Sequence, residues 1–570
     1  MMGPWRLSTL LSAVTLSLAL NAAAASSSAP SSSAVSSPKS QASSVSSSSA
    51  ASSASSSQPT GSSAAGSSAG GASASTSGSS KSSSSSSSTK SSTPSSGFGN
   101  STQKGVYDVK HLRSLLGSNG TEKYEVPTHL PNISFEIPPS WAGYAPVSNK
   151  PNETRQDYFW LFPATGKVGH DNLVVWLNGG PGCSALSGAF TEEGPVKFDH
   201  KTHIPFRNPY SWTNLTNMIW VDHPPGTGFS RGATKNQSMP ELAEDFFGFL
   251  ENLYKEFPKL KGKKLWIMGE SWAGKPIPWM ADHIYKHEKE AKKAGINLQG
   301  IGMNNGFIME NTMAKHLPLL QFAKLNQKVM KISDQNLSKV MDAGKKVGLD
   351  GYVEKNLHYP PKGKLSVPEQ FNETESPYKM LQTMARDVNP CISPYYIAMP
   401  SPCPPDPLGM QSNREKSHKD NYFNNIPAVK KALNADENIT WIECSSVKPL
   451  DIMKKSKTEY PVDEVLPRVI EKSKRVLLEH GTWDYLVLTN GTAMALQNMT
   501  WSGKQGFQSP PNRALVVDGK KVGNVHTERN LTLANIFHSG HMVSIYTPKA
   551  TYKLLEYLLG QIEESELSKK

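Results

Sequence analysis

The sequence predicts an α/β protein: a mostly parallel central sheet with helices on both faces and a helical and loop insertion. Two observations lead there. Short apolar runs recur at residues 171–178 (DNLVVWLN), 217–222 (NMIWVD), 265–268 (LWIM) and 475–479 (RVLLE), the pattern of strands buried on both faces. Between them lie stretches with apolar residues at helical spacing. One of these, residues 240–257 (PELAEDFFGFLENLYKEF), carries acidic residues in its first turn, where the helix dipole favours them. Strands alternating with helices imply crossover connections and therefore a parallel sheet. Residues 301–308, 514–517 and 531–536 read as further strands.

The first 96 residues follow another logic. Residues 1–6 carry a positive charge, 7–20 are apolar and 22–25 are small. That is the plan of a secretory signal peptide, residues 1–25, with an apolar run too short to span a bilayer. No transmembrane helix is expected once it is removed. In residues 26–96 just over half the positions are Ser, and most others are Ala, Gly or Thr. Such a segment has little to bury and cannot offset the entropy of ordering its backbone. It reads as a disordered stalk, open to O-glycosylation and able to associate the protein with a cell wall. Residues 97–570 have an ordinary globular composition and suit one large domain carrying an insertion at about 311–444, where Lys-rich helical patterns give way to Pro-rich loops.

The net charge of +12 is spread over small clusters such as KLKGKK and MKKSK. These are solvated surfaces without interleaved aromatics, so no nucleic-acid partner is expected. A secretory start makes the four cysteines disulfide partners. Cys391 and Cys403 bracket a short Pro-rich loop, which leaves Cys183 and Cys444 to join distant segments. No CxxC pair or HExxH is present, and His200 with His203 reads as a loop coincidence, so no metal is expected. Sequons at Asn100, Asn119, Asn132, Asn152, Asn214, Asn236, Asn336, Asn372, Asn438, Asn490, Asn498 and Asn530 fit a secreted glycoprotein.

The run LWIM leads into Gly269-Glu270-Ser271-Trp272-Ala273-Gly274. A serine on a sharp strand-to-helix turn is exposed, as a nucleophile must be. The G-x-S-x-G elbow is matched at Gly269 and Ser271, with Ala273 in place of the second glycine. A base is expected late in the chain with an acid before it. His541 follows the strand at 531–536, and Asp484 follows RVLLE; both are strand C-termini, where open parallel sheets collect catalytic groups. His480, His538 and Asp518 are rivals, and the order of elements favours Asp484 and His541. In the loop NGGPGCSALSGAFTEEGP (178–195), Gly179 and Gly180 allow close backbone approach and offer N–H groups to an oxyanion. The Trp272 N–H, directly after the serine, is the second donor.

At these residues the chain resembles the serine carboxypeptidases of the secreted or vacuolar fungal kind, within the α/β-hydrolase fold. WLNGGPGCSAL with TEEGP, NPYSW (208–212), VDHPPGTGFS (221–230), GESWAG and SGHMV follow in that family's order. The resemblance implies release of C-terminal residues from peptides, with Ser271 as nucleophile, Asp484 as acid and His541 as base. It implies Gly180 and Trp272 as oxyanion donors, and Asn178, Gly179, Glu192 and Glu270 as the site for the substrate's terminal carboxylate. It supports a Cys183–Cys444 bridge and requires no cofactor. Two carboxyls held together cannot both ionise cheaply, so the Glu192–Glu270 pair is expected to share a proton and favour acid pH.

Trp272 and Pro276 stand where the family usually has Tyr, and Ser544 where Pro is common. The side chains at 272 and 276 are expected to line the substrate site, and Pro276 with Pro278 to delay the start of the next helix. An esterase or acyltransferase with the same triad, and a catalytically vestigial wall glycoprotein, are the alternative readings.

Overall fold

The structure, a computed structural model, describes residues 106–199, 202–408, 421–445, 450–451 and 459–569. The signal peptide, the stalk, Asn100 and His200 lie outside them. All described residues fall in the unit Phe98–Lys570.

One large sheet organises this unit. Its strands are β1 (Glu125–Val126), β2 (Ser140–Pro146), β3 (Gln156–Phe162), β4 (Asn172–Leu177), β5 (Asn217–Asp222), β6 (Lys264–Glu270), β7 (Asn297–Asn304), β8 (Arg475–Gly481), β9 (Arg513–Val517), β10 (Lys520–Glu528) and β11 (Leu531–Ile536). They lie in the order β1-β2-β3-β5-β4-β6-β7-β8-β11-β10-β9. The centre, β5 through β11, is parallel. Both flanks are antiparallel.

The apolar runs are continuous because both faces of the sheet are covered. Along β4, Leu173, Val175 and Leu177 enter one core cluster, and Val174 and Trp176 enter the other. Along β6, Leu265 and Ile267 face the first cluster while Trp266 and Met268 face the second. Helices α2 (Met239–Glu256) and α3 (Pro276–Lys286) cover the first face with Leu242, Phe246, Leu250, Ile277 and Met280. Helices α1 (Ala185–Thr191) and α4 (Pro548–Leu558) cover the second with Phe190, Leu554 and Leu555. Ser238 and Glu241 form a capping box at the start of α2, satisfying two of its orphan donors.

Three sequence expectations shift. Helix α3 starts at Pro276 rather than late, after a 3-10 turn at Ser271–Gly274. Pro276 occupies the first helical position, where its missing N–H has no intrahelical partner to lose. Strand β7 begins at Asn297 and stops at Asn304, before Asn305, whose φ of 45° ends the extended run. Strands β2 and β10 escaped the apolar-run criterion because they carry mixed sequence, whereas β3 (QDYFWLF) holds an apolar run that was passed over. SWAGYAP in β2 and KKVGNVHTE in β10 show the mixture.

The inserted segment contains helices at Leu319–Asn326, Asp334–Lys346 and Tyr378–Val388. Leu320, Val340 and Leu381 join the first core cluster, whereas Phe423, Val429 and Trp441 join the second. Disulfides join Cys183 to Cys444 and Cys391 to Cys403.

Candidate active site

Ser271 follows the last residue of β6 and has a φ of 58°, a left-handed conformation that a non-glycine residue adopts only where its surroundings impose it. The surroundings are glycine-dependent. A Cβ added at Gly179 would sit 2.5 Å from Ser271 Cβ, and one at Gly269 would sit 2.3 Å from the Leu177 carbonyl oxygen. The Phe307 N–H donates to the Ser271 carbonyl at 2.8 Å.

His541 and Asp484 come from the ends of β11 and β8. His541 Nδ1 lies 2.8 Å from Asp484 Oδ2, with both side chains buried. Asn305, just beyond β7, holds both loops. Its Nδ2 donates to the Gly540 and His541 carbonyls at 3.1 and 2.5 Å, and its Oδ1 accepts from the Gly481 N–H at 3.0 Å. His541 Nε2 has no hydrogen-bond partner, and His541 lines the same cavity as Ser271. The rivals lie elsewhere. His480 Nε2 meets Thr492 Oγ1 at 2.7 Å, and burial, with the charge of His541, pushes its pKa down to about 3. His538 packs on Trp483, and Asp518 pairs with Lys549.

A buried acid cluster adjoins the serine. The Trp176 Nε1–H donates to Asn178 Oδ1 at 2.8 Å, which turns Asn178 Nδ2 toward Glu270 Oε1, also at 2.8 Å. Indole only donates, so the amide orientation is fixed chemically. Glu192 lies within hydrogen-bonding reach of Asn178 and Glu270. Burial pushes Glu192 up to about 7 against the pull of Lys197. Glu270 is pushed well above the carboxylate range by burial and then by the charges of Glu192 and Glu193. Glu193, whose Oε1 accepts from Trp220 Nε1–H at 2.8 Å, is raised by burial and by Glu192. Lys197 is itself buried, and its pKa is lowered by burial. Lys197 thus offsets Glu192 and Glu193, while Glu443 adds negative charge that raises both Glu192 and Glu270, and the site favours keeping protons on its carboxyls.

Ser271, His541, Gly179, Gly180, Asn178, Glu192 and Glu270 all line one cavity of about 370 Å³. Cys183, Ser187, Thr191 and Glu443 continue its wall. Further lining comes from the disulfide-closed loop through Ser393, Tyr395 and Met399, from the segment Pro404 to Leu408 that follows it, and from Met542, Ile545 and Tyr546. Trp272 and Pro276 do not line it, contrary to expectation. Both are buried, Trp272 within the first core cluster, because the 3-10 turn directs the residue after Ser271 into the sheet's covering layer. Sequence reasoning also passed over Asn305, Glu193, Lys197 and the Pro-rich wall. Glu193 was visible in TEEGP; Asn305 carries no spacing signal.

Among the sequons, Asn119, Asn132, Asn152, Asn236, Asn372, Asn438 and Asn530 are exposed, while Asn214, Asn336, Asn490 and Asn498 are half-buried. Among the described residues no group of His, Cys, Asp or Glu could hold a metal ion, and no helix is long and apolar enough to cross a membrane.

Residues 131–561 match the family described as serine carboxypeptidase. The chain is 36% identical over 483 residues to a probable serine carboxypeptidase of Arthroderma benhamiae, covering 80% of this chain and 90% of that one. It is 32% identical over 501 residues to serine-type carboxypeptidase F of Aspergillus niger, covering 81% and 92%. Its fold is similar to the crystal structure of a prohormone-processing carboxypeptidase from Saccharomyces cerevisiae, with a TM-score of 0.61 at 22% identity over 78% of this chain and 97% of that one. The strand order and the elbow at Ser271 are those of an α/β-hydrolase, and the chain belongs to the serine carboxypeptidase family.

Proposed function

We propose that this carboxypeptidase releases C-terminal residues through an acyl-enzyme on Ser271, and that it works best at acid pH. The observation that carries this reading is the sharing of one cavity by Ser271, His541 and the acid cluster of Asn178, Glu192 and Glu270. His541, oriented by Asp484, takes the Ser271 proton as Oγ attacks the last peptide carbonyl, then passes it to the departing amine. The N–H groups of Gly180 and Trp272 receive the oxyanion. Water then attacks the ester and returns the proton to Ser271 through His541. The protonated member of the Glu192–Glu270 pair donates a hydrogen bond to the substrate's carboxylate, which two ionised glutamates would repel. Selectivity for chain ends follows from that anchor.

The test uses N-blocked dipeptides with free and amidated C-termini, with Ser271→Ala as control. Only the free-carboxylate peptide is expected to be cleaved efficiently, and only by the wild type. Equal cleavage of the amidated peptide would refute the anchor and favour a general esterase or amidase. We also infer secretion, supported by the signal-like start, the two disulfides and the exposed sequons. A glycosidase-sensitive mass in the culture medium is the expected sign, and retention of the unglycosylated chain inside cells would overturn it.

A further inference from the structure

The acid cluster continues across the sheet. At the C-terminal edge, Leu177 pairs with Gly269, Glu270 with Asn304, and Asn304 with Glu479. Asn178, Glu270, Asn304 and Glu479 therefore form one row across β4, β6, β7 and β8. Alternation along these strands puts all four side chains on the face of Trp176, Met268 and Leu477, which belong to the second core cluster. The row alternates amide, acid, amide, acid. Asn304 and Glu479 are fully buried, and both polar atoms of each side chain lack hydrogen-bond partners, as does Glu270 Oε2. The helix Val543–Tyr546 packs against β8 and brings in Ser544, whose buried hydroxyl is also unpartnered.

Such atoms are costly to leave unpaired, at about 1–3 kcal/mol each. Adjacent parallel strands lie about 4.8 Å apart, so side chains in register reach one another by small rotations. The donor direction is already set at one end, from Trp176 to Asn178 to Glu270 Oε1. Continued, it runs from the Glu270 Oε2–H to Asn304 Oδ1, and from Asn304 Nδ2–H to Glu479. Burial pushes the Glu479 carboxyl well above the usual carboxylate range.

We propose that Asn304 and Glu479 are positioning residues for the carboxylate anchor: Asn304 accepts the Glu270 proton in the empty site, and Glu479 fixes the Asn304 amide in the accepting orientation. This rests on the anchor reading above. When substrate arrives, the Glu270 O–H turns from Asn304 to the substrate carboxylate, and no covalent bond changes.

The test compares Glu479→Leu, Glu479→Gln and Asn304→Ala on the free-carboxylate peptide and on an ester of the same acyl group. Glu479→Leu and Asn304→Ala are expected to lower KM for the peptide about five- to twentyfold with kcat nearly kept, because each removes a hydrogen bond that the empty site makes and the complex gives up. KM for the ester stays unchanged, and Glu479→Gln, still neutral and hydrogen-bonding, restores the peptide KM. An unchanged or raised peptide KM in both Glu479→Leu and Asn304→Ala, or an equal fall on the ester, overturns the proposal. Glu270→Ala serves as reference. If that variant too fails to discriminate peptide from ester, the anchor reading itself is wrong; if it discriminates and the other two do not, only the present inference falls.

Discussion

The two walls of the cavity are built in opposite ways. One is the C-terminal edge of a parallel sheet, where Asn178, Glu270, Asn305, Asp484 and His541 each follow or end a strand and each polar group is placed by its neighbours. The other is an irregular loop closed by Cys391–Cys403, which supplies Tyr395 and Met399, together with the Pro-rich segment directly after it. Rigid strands suit chemistry, which needs groups held to fractions of an ångström. Loops suit selectivity, because they change without disturbing the sheet. Under the proposed function, substitutions in the first wall are expected to alter reaction and anchoring, and those in the second to alter preference among substrates.

The largest effect tests the first wall at its centre. Ser271→Ala is expected to lower kcat at least about ten-thousandfold with the fold intact, because triad members act as a unit. Burst kinetics with an activated ester provide the direct measurement. A burst that survives in Ser271→Ala would move the nucleophile elsewhere.

Anchoring comes next. Glu270→Ala is expected to raise KM for free-carboxylate peptides roughly ten- to a hundredfold, the range for a hydrogen bond to a charged group, while esters are spared. In the wild type the same KM should rise as pH passes upward through about 7, where Glu192 gives up its proton. The sign for stability follows. Glu192 keeps in the folded state a proton that the unfolded chain releases near pH 4.5, so its contribution to stability falls with rising pH until about 7. Denaturant midpoints should therefore drop less between pH 4.5 and 7 in Glu192→Gln than in the wild type. An identical drop in both would place that carboxyl in its ordinary range.

The same contrast explains what could be read from the sequence. The catalytic wall was legible because parallel strands buried on both faces leave runs such as DNLVVWLN, and because each motif follows such a run. The Pro-rich loop has no period, and nothing in PSPCPPDPL reveals which sheet edge it covers. Antiparallel β2 and β10 were missed for a related reason, since their mixed composition breaks the apolar run. Adjacency to Ser271 pointed to Trp272 as a pocket residue, and chain adjacency is a poor guide where a tight turn sends successive side chains to different layers.

The loop wall predicts a smaller change. Tyr395 lines the cavity with its ring centroid 5.2 Å from that of His541, and its carbonyl accepts from the His541 N–H at 2.7 Å. Tyr395→Ala keeps the backbone bond and removes the ring. It is expected to raise KM several-fold, to reorder preference within a panel of C-terminal residues, and to leave the pH profile in place. A kcat loss above about a hundredfold would assign the ring to the chemistry, and the separation of the two walls would fail.

Trp272 gives the smallest effect on activity and the sharpest test of layer over adjacency. It is 9% exposed and packs in the cluster with Ile277 and Met280, away from the cavity lining. Its backbone N–H, the proposed oxyanion donor, is unaffected by side-chain replacement. Trp272→Tyr therefore shortens a core side chain and leaves the substrate wall as it was. Stability is expected to fall by about 1–3 kcal/mol, as for other large-to-smaller core changes. KM values and the ranking of C-terminal residues should hold within about twofold. If the ranking changes while the melting temperature does not, Trp272 reaches substrate, and the residue after the nucleophile belongs with the loop wall in choosing what is cleaved.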